Sequence, residues 1–186
     1  MRTPIPEKLL AIADDIEAFG SVPLTRLTVV KQWLETPGRS SAFGLWIAKR
    51  AAGRKGKTRG EAGVLLDEAR ALLGTTATRE DFLRAVDPGA AKRLHARARD
   101  LQNGFEHQPR GPVRVIHCWP LLLVEQGLAL HLGPALPSDG YKLASDFCQN
   151  HDSRYGNSLN GPSRTKILEI VRFMFTFEAI EEDNGR

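Results

Sequence analysis

Seven positive side chains, Arg39, Lys49, Arg50, Arg54, Lys55, Lys57 and Arg59, fall between Thr36 and Gly60 with no carboxylate among those 25 residues. A block of one sign cannot neutralise itself locally, so it either stays solvated or meets an anion, such as a phosphate backbone or the acidic face of another protein. Cations that meet phosphates release condensed counterions, which gives salt-sensitive binding of roughly micromolar strength without any reading of bases. A second group, Lys92, Arg93, Arg97 and Arg99, flanks the apolar positions Leu94, Ala98 and Leu101, with Arg93 and Arg97 four residues apart. If the two groups lie side by side they form one basic face. Arg59 adds a detail: a cation in the first turn of a helix opposes the helix dipole unless an anion shares the site.

Three other constellations compete for chemistry. Ala51-Ala52-Gly53-Arg54-Lys55-Gly56-Lys57-Thr58 ends like a phosphate-binding P-loop, with Lys57 placed for the outer phosphates and Thr58 for magnesium, and Leu121 to Glu125 could mimic the companion acidic strand. Ala51 stands where that motif has its first glycine, Phe43 to Ala51 has helical spacing, and no alternation of strands and helices follows. Cys148 and His151, with His117 and Cys118 upstream, are four possible zinc donors. Adjacent His117 and Cys118 cannot easily aim at one ion, and Cys148 falls on an apolar stripe, where cysteine acts as a small hydrophobe. The loop His151 to Asn157 contains acid, base and nucleophile types, but these are also ordinary loop formers. Trp33 and Trp46 sit on helical stripes and read as core, while Trp119 beside Pro120 is open to either role.

The elements that position these residues read as helices. Pro6 opens a run with Leu9, Ile12, Ile16 and Phe19 at helical spacing to Gly20, and a second run from Pro23 buries Leu24, Leu27, Val30 and Trp33 or Leu34. Ser40 or Ser41 can cap a third helix through Phe43, Trp46, Ile47 and Ala51 to Gly53, so the basic stretch is a junction between helices. Thr58 and Glu61 fit a capping box for a helix ending at Gly74. Asp87-Pro88 starts another, to about Gln102, closed by Asn103-Gly104. Pro120 can open a helix to Gly133, although Val113 to Trp119 has strand-like β-branched content. Helices over about 139–150 and from Ser163 onward complete the chain, the last apolar around so much of its circumference that it reads as central.

At 186 residues, 41% hydrophobic and 26% charged, the chain is large enough for one domain with a sizeable core, and its composition argues against wholesale disorder. Residues 1–112 carry 19 Lys and Arg against 13 acids, and residues 113–186 carry 7 against 9, so the positive field belongs to the first part. No apolar run approaches the roughly 20 residues of a membrane span. Glu7, Asp14, Asp15 and Glu17 interrupt any secretory leader, so a cytoplasmic location is expected. Two cysteines give no disulfide framework.

These observations predict an all-α or mainly α single domain over 1–186, with about seven helices, a possible two-stranded element around 113–132 and an acidic tail at 181–186 fraying into solvent. They point to a non-enzymatic accessory protein that binds nucleic acid or another polyanion, needing neither cofactor nor metal nor membrane. Its contacts would be Lys49, Arg50, Arg54, Lys55, Lys57, Arg59, Arg93 and Arg97. An adaptor docking an acidic partner protein through the same face is the alternative, and a degenerate P-loop protein the third reading.

Overall fold

Glycines and prolines at the expected places divide the chain into helices. The computed structural model describes residues 28–36, 38–53, 60–75, 81, 84–106, 119–134, 136–148 and 164–185. Seven helices lie among them: α1 (Thr28–Leu34), α2 (Arg39–Ala52), α3 (Glu61–Leu73), α4 (Pro88–Glu106), α5 (Trp119–Leu132), α6 (Pro137–Cys148) and α7 (Arg164–Asn184). Among the described residues there is no strand, so the ambiguity over 113–132 resolves to a helix from Trp119, while residues 113–118 lie outside the described part. The helix expected over residues 6–20 lies outside it as well.

Several boundaries follow local chemistry. The Asp87 carboxylate accepts from the Ala90 amide at 2.8 Å, capping α4 just ahead of Pro88. Gly74 ends α3 at φ 71°, a left-handed conformation that disfavours side chains, with its amide on the Arg70 carbonyl at 3.0 Å. Other boundaries move. The expected capping box gives way to Gly60 as N-cap of α3, without a side-chain cap, and α3 begins at Glu61. Ser40 and Ser41 lie inside the first turn of α2 rather than capping it. Gly38 holds that position, and the Ser40 hydroxyl donates to the Leu34 carbonyl at 2.7 Å, tying the end of α1 to α2. Asn103-Gly104 does not stop α4, which continues to Glu106, and α7 runs through the acidic segment to Asn184.

The core gathers around α2 and α5. α2 buries Phe43, Trp46, Ile47, Ala48, Ala51 and Ala52, and each large side chain removed from water contributes roughly 1.5–3 kcal/mol. Its aromatic side meets α6 and α7: Trp46 stacks on Phe173 at 4.7 Å, with Phe147 5.5 Å away. Trp33 completes the cluster edge-on to Phe173. The opposite side of α2 meets α5 at backbone contact distance. A Cβ on Gly44 would lie 2.5 Å from the Gly127 carbonyl, and one on Gly127 would lie 2.5 Å from the Gly44 carbonyl. Ser41 and His131 clamp the same crossing, with the serine Oγ 2.9 Å from Nδ1 and donating to the His131 carbonyl at 3.1 Å.

Centrality belongs to α5 rather than to the last helix. Leu121, Leu123, Val124, Leu128 and Leu130 are buried around its circumference, and it packs against α2, α3, α4 and α6. α7 is one-sided, burying Ile167, Ile170, Val171, Phe173 and Met174 while Arg172 is exposed. No helix of the described residues is long and apolar enough to cross a membrane.

Candidate polyanion interface

The cations of the first group have separate fates. Lys49 stands three residues after Trp46 and three before Ala52, on the inward side of α2, and is fully buried. Its Nζ donates to the carbonyls of Asp81 at 2.8 Å and Arg84 at 3.0 Å, so the ammonium pins the connection between α3 and α4. Burial holds its pKa below the ordinary 10.5, the Arg84 charge pushes the same way, and Asp81 partly offsets both. Arg50, one residue on, reaches α7. Its Nε and Nη2 each donate to a Glu169 carboxylate oxygen at 2.9 Å, a forked pair. Arg39 lies over the Trp33 ring, 4.8 Å from its centroid. Arg54, Lys55, Lys57 and Arg59 lie outside the described residues. The stretch that carries them leaves α2 at Gly53 and enters α3 at Gly60.

The second group is carried by α4. Ala91, Leu94 and Ala98 are buried, which fixes the rotation of the helix and leaves Lys92, Arg93, Arg97 and Arg99 exposed. Arg97 donates through Nη1 to Oε2 of Glu68 on α3. Among the described residues Lys92, Arg93 and Arg99 have no ion pair. Between α3 and α4 lies a cleft of about 270 Å³, lined by Glu68, Leu72, Ala90, Arg93, Leu94 and Arg97. Two guanidinium-bearing residues one helical turn apart therefore share a concave site with an apolar floor, a combination that suits a phosphate-bearing ligand. Glu68 and Glu169, the carboxylates that bind two of these arginines, were invisible in the sequence, because their partners stand 29 and 119 residues away.

A further polar site went unforeseen. His95 Nε2 lies 3.0 Å from Glu125 Oε1, both side chains under one-fifth exposed, and this pair joins α4 to α5. Glu125 also borders a smaller cleft of about 180 Å³ between α5 and α6, with Gln126, Asp139 and Lys142.

The other sequence candidates gain nothing. α2 is helical through Ala52, where a P-loop would follow a strand. Cys148 is buried in α6, and burial pushes its thiol pKa up to about 12. His117, Cys118 and the loop from His151 to Asn157 lie outside the described residues. Among the described residues no group of three or more His, Cys, Asp or Glu is arranged to hold a metal. No protein-family model matches the chain, and comparison with curated proteins and with solved structures returns no match.

Proposed function

We propose that the protein is a non-enzymatic, nucleic-acid-associated accessory protein that binds a polyanionic backbone through the outer face of α4 and the cations leading into α3. The observation that carries this reading is the exposure of Lys92, Arg93 and Arg99 on one helix without carboxylate partners among the described residues. α3 packs directly on α4, and Arg54, Lys55, Lys57 and Arg59 stand in the stretch that enters α3. The first group thus precedes α3 in the sequence, and the second is carried by the helix that packs on α3. Lys49 is buried and the exposed Arg50 is paired with Glu169, so the contact surface is drawn without them. Phosphate contacts of this kind position a strand without reading its sequence.

A gel shift with mixed-sequence single and double strands at about 50 and 200 mM salt tests the proposal, since several phosphate contacts make affinity fall steeply over that range. A shift that heparin displaces supports it. Absence of any shift at the lower salt refutes it, and retention of an acidic protein at fixed stoichiometry, with no nucleic-acid shift, would favour the adaptor instead.

A further inference from the structure

We infer that the cleft between α3 and α4 seats a single phosphate group of the bound strand between Arg93 and Arg97, and that the Glu68 carboxylate holds that position in the unbound protein. The inference rests on the reading above and assigns a regulatory role to an acid beside the exposed cations of α4. Carboxylate and phosphate compete for the same planar donor fork of arginine, so the Arg97–Glu68 pair marks where an oxyanion fits. Arg93 stands one turn away on α4, lines the same cleft and has no ion pair among the described residues. It is an arginine for which Glu68 provides no second contact. A phosphate oxygen set can engage both guanidinium groups, whereas the carboxylate engages one.

The volume of about 270 Å³ is ample, because a water molecule takes about 30 Å³ of liquid. Leu72, Ala90 and Leu94 give the cleft an apolar floor against which the arginine stems can pack. The Arg97 and Glu68 side chains are 52% and 43% exposed, and pairs so open to solvent are weak and exchange easily. Glu68 therefore lowers affinity without blocking the site.

The test compares Glu68→Gln with Asp67→Asn, a control of equal charge change on the neighbouring residue, whose carboxylate pairs with Arg70 at 2.8 Å. Binding of a fluorescein-labelled mixed-sequence oligonucleotide is followed by anisotropy, with thermal melts establishing that each variant is folded. Glu68→Gln is expected to tighten binding roughly fivefold more than Asp67→Asn, as removal of a competing charged hydrogen bond implies. That excess should vanish in an Arg97→Ala background. Equal effects of the two substitutions, or an excess that survives Arg97→Ala, would overturn the inference while leaving the polyanion reading intact. A wild-type protein that does not bind the oligonucleotide at all would remove both.

Discussion

Replacing Lys49 separates a structural cation from a phosphate contact. Lys49→Met keeps most of the volume but removes donors to the Asp81 and Arg84 carbonyls. Two lost hydrogen bonds cost about 1 kcal/mol each, partly offset because an ammonium no longer has to be buried, so a net loss of about 1–2 kcal/mol is expected. Lys49→Ala also removes three methylenes, adding about 2.4 kcal/mol of lost burial and bringing the total to roughly 4 kcal/mol. The pH dependence has a definite sign. The folded pKa lies below the unfolded 10.5, so between those values the unfolded chain binds more protons and the native state gains stability as pH rises. Wild type should therefore gain on Lys49→Met through the alkaline range up to about pH 10.5, with the difference levelling off beyond. Urea unfolding at a series of pH values measures this, alongside oligonucleotide anisotropy on the folded variant. An unchanged urea midpoint together with lost nucleic-acid binding would refute the assignment.

The helix crossing makes a second demand. Gly44→Ala would place a methyl group 2.5 Å from the Gly127 carbonyl and 2.8 Å from Leu130 Cβ, with an expected loss of about 3 kcal/mol or more by thermal or urea unfolding, since backbone must move to admit it. Cys148 has the opposite alkaline sign to Lys49: its pKa rises from 9.0 to about 12 in the fold, so stability falls as pH rises above about 9, by about 1.4 kcal/mol at pH 10. Cys148→Ala should abolish that decline, and native protein should resist alkylation at this position. A double-mutant cycle on Arg50 and Glu169, a forked but partly exposed pair, should return a coupling of about 0.5–1 kcal/mol, because solvent screens it.

Features governed by near neighbours were legible in the sequence. Asp87 and Pro88 announce the start of α4, Gly74 and Gly133 end helices, and the stripes carrying Trp33, Trp46 and Cys148 place them in the core. Where two local signals competed, packing decided. Asn103-Gly104 reads as a stop, but a single glycine costs only about 1 kcal/mol within a helix, and Gln102 is buried just ahead of it. α7 is the longer helix, but α5 is the more apolar one and is buried around its circumference, where α2 approaches it closely at Gly44 and Gly127. That approach requires two glycines 83 positions apart to meet, and no local pattern announces it.

Charge was the least legible property. A run of cations tells that positive charge is present, not which way each side chain points. The Trp46-Lys49-Ala52 spacing hints that Lys49 faces inward, but the carbonyls that receive it come from Asp81 and Arg84. Arg50 and Arg97 find acids on other helices, Glu169 and Glu68. On α4 the pattern was sufficient, because Ala91, Leu94 and Ala98 define the buried side and thereby expose the four cations.

The most direct measurement of the central claim is the salt dependence of oligonucleotide binding for wild type and for a Lys92→Ala, Arg93→Ala, Arg99→Ala triple variant. If these side chains neutralise phosphates, the slope of log K against log salt should shrink in magnitude by about 2–3 and affinity should drop at every salt concentration. A triple variant that melts like wild type and binds with the same slope would contradict the account.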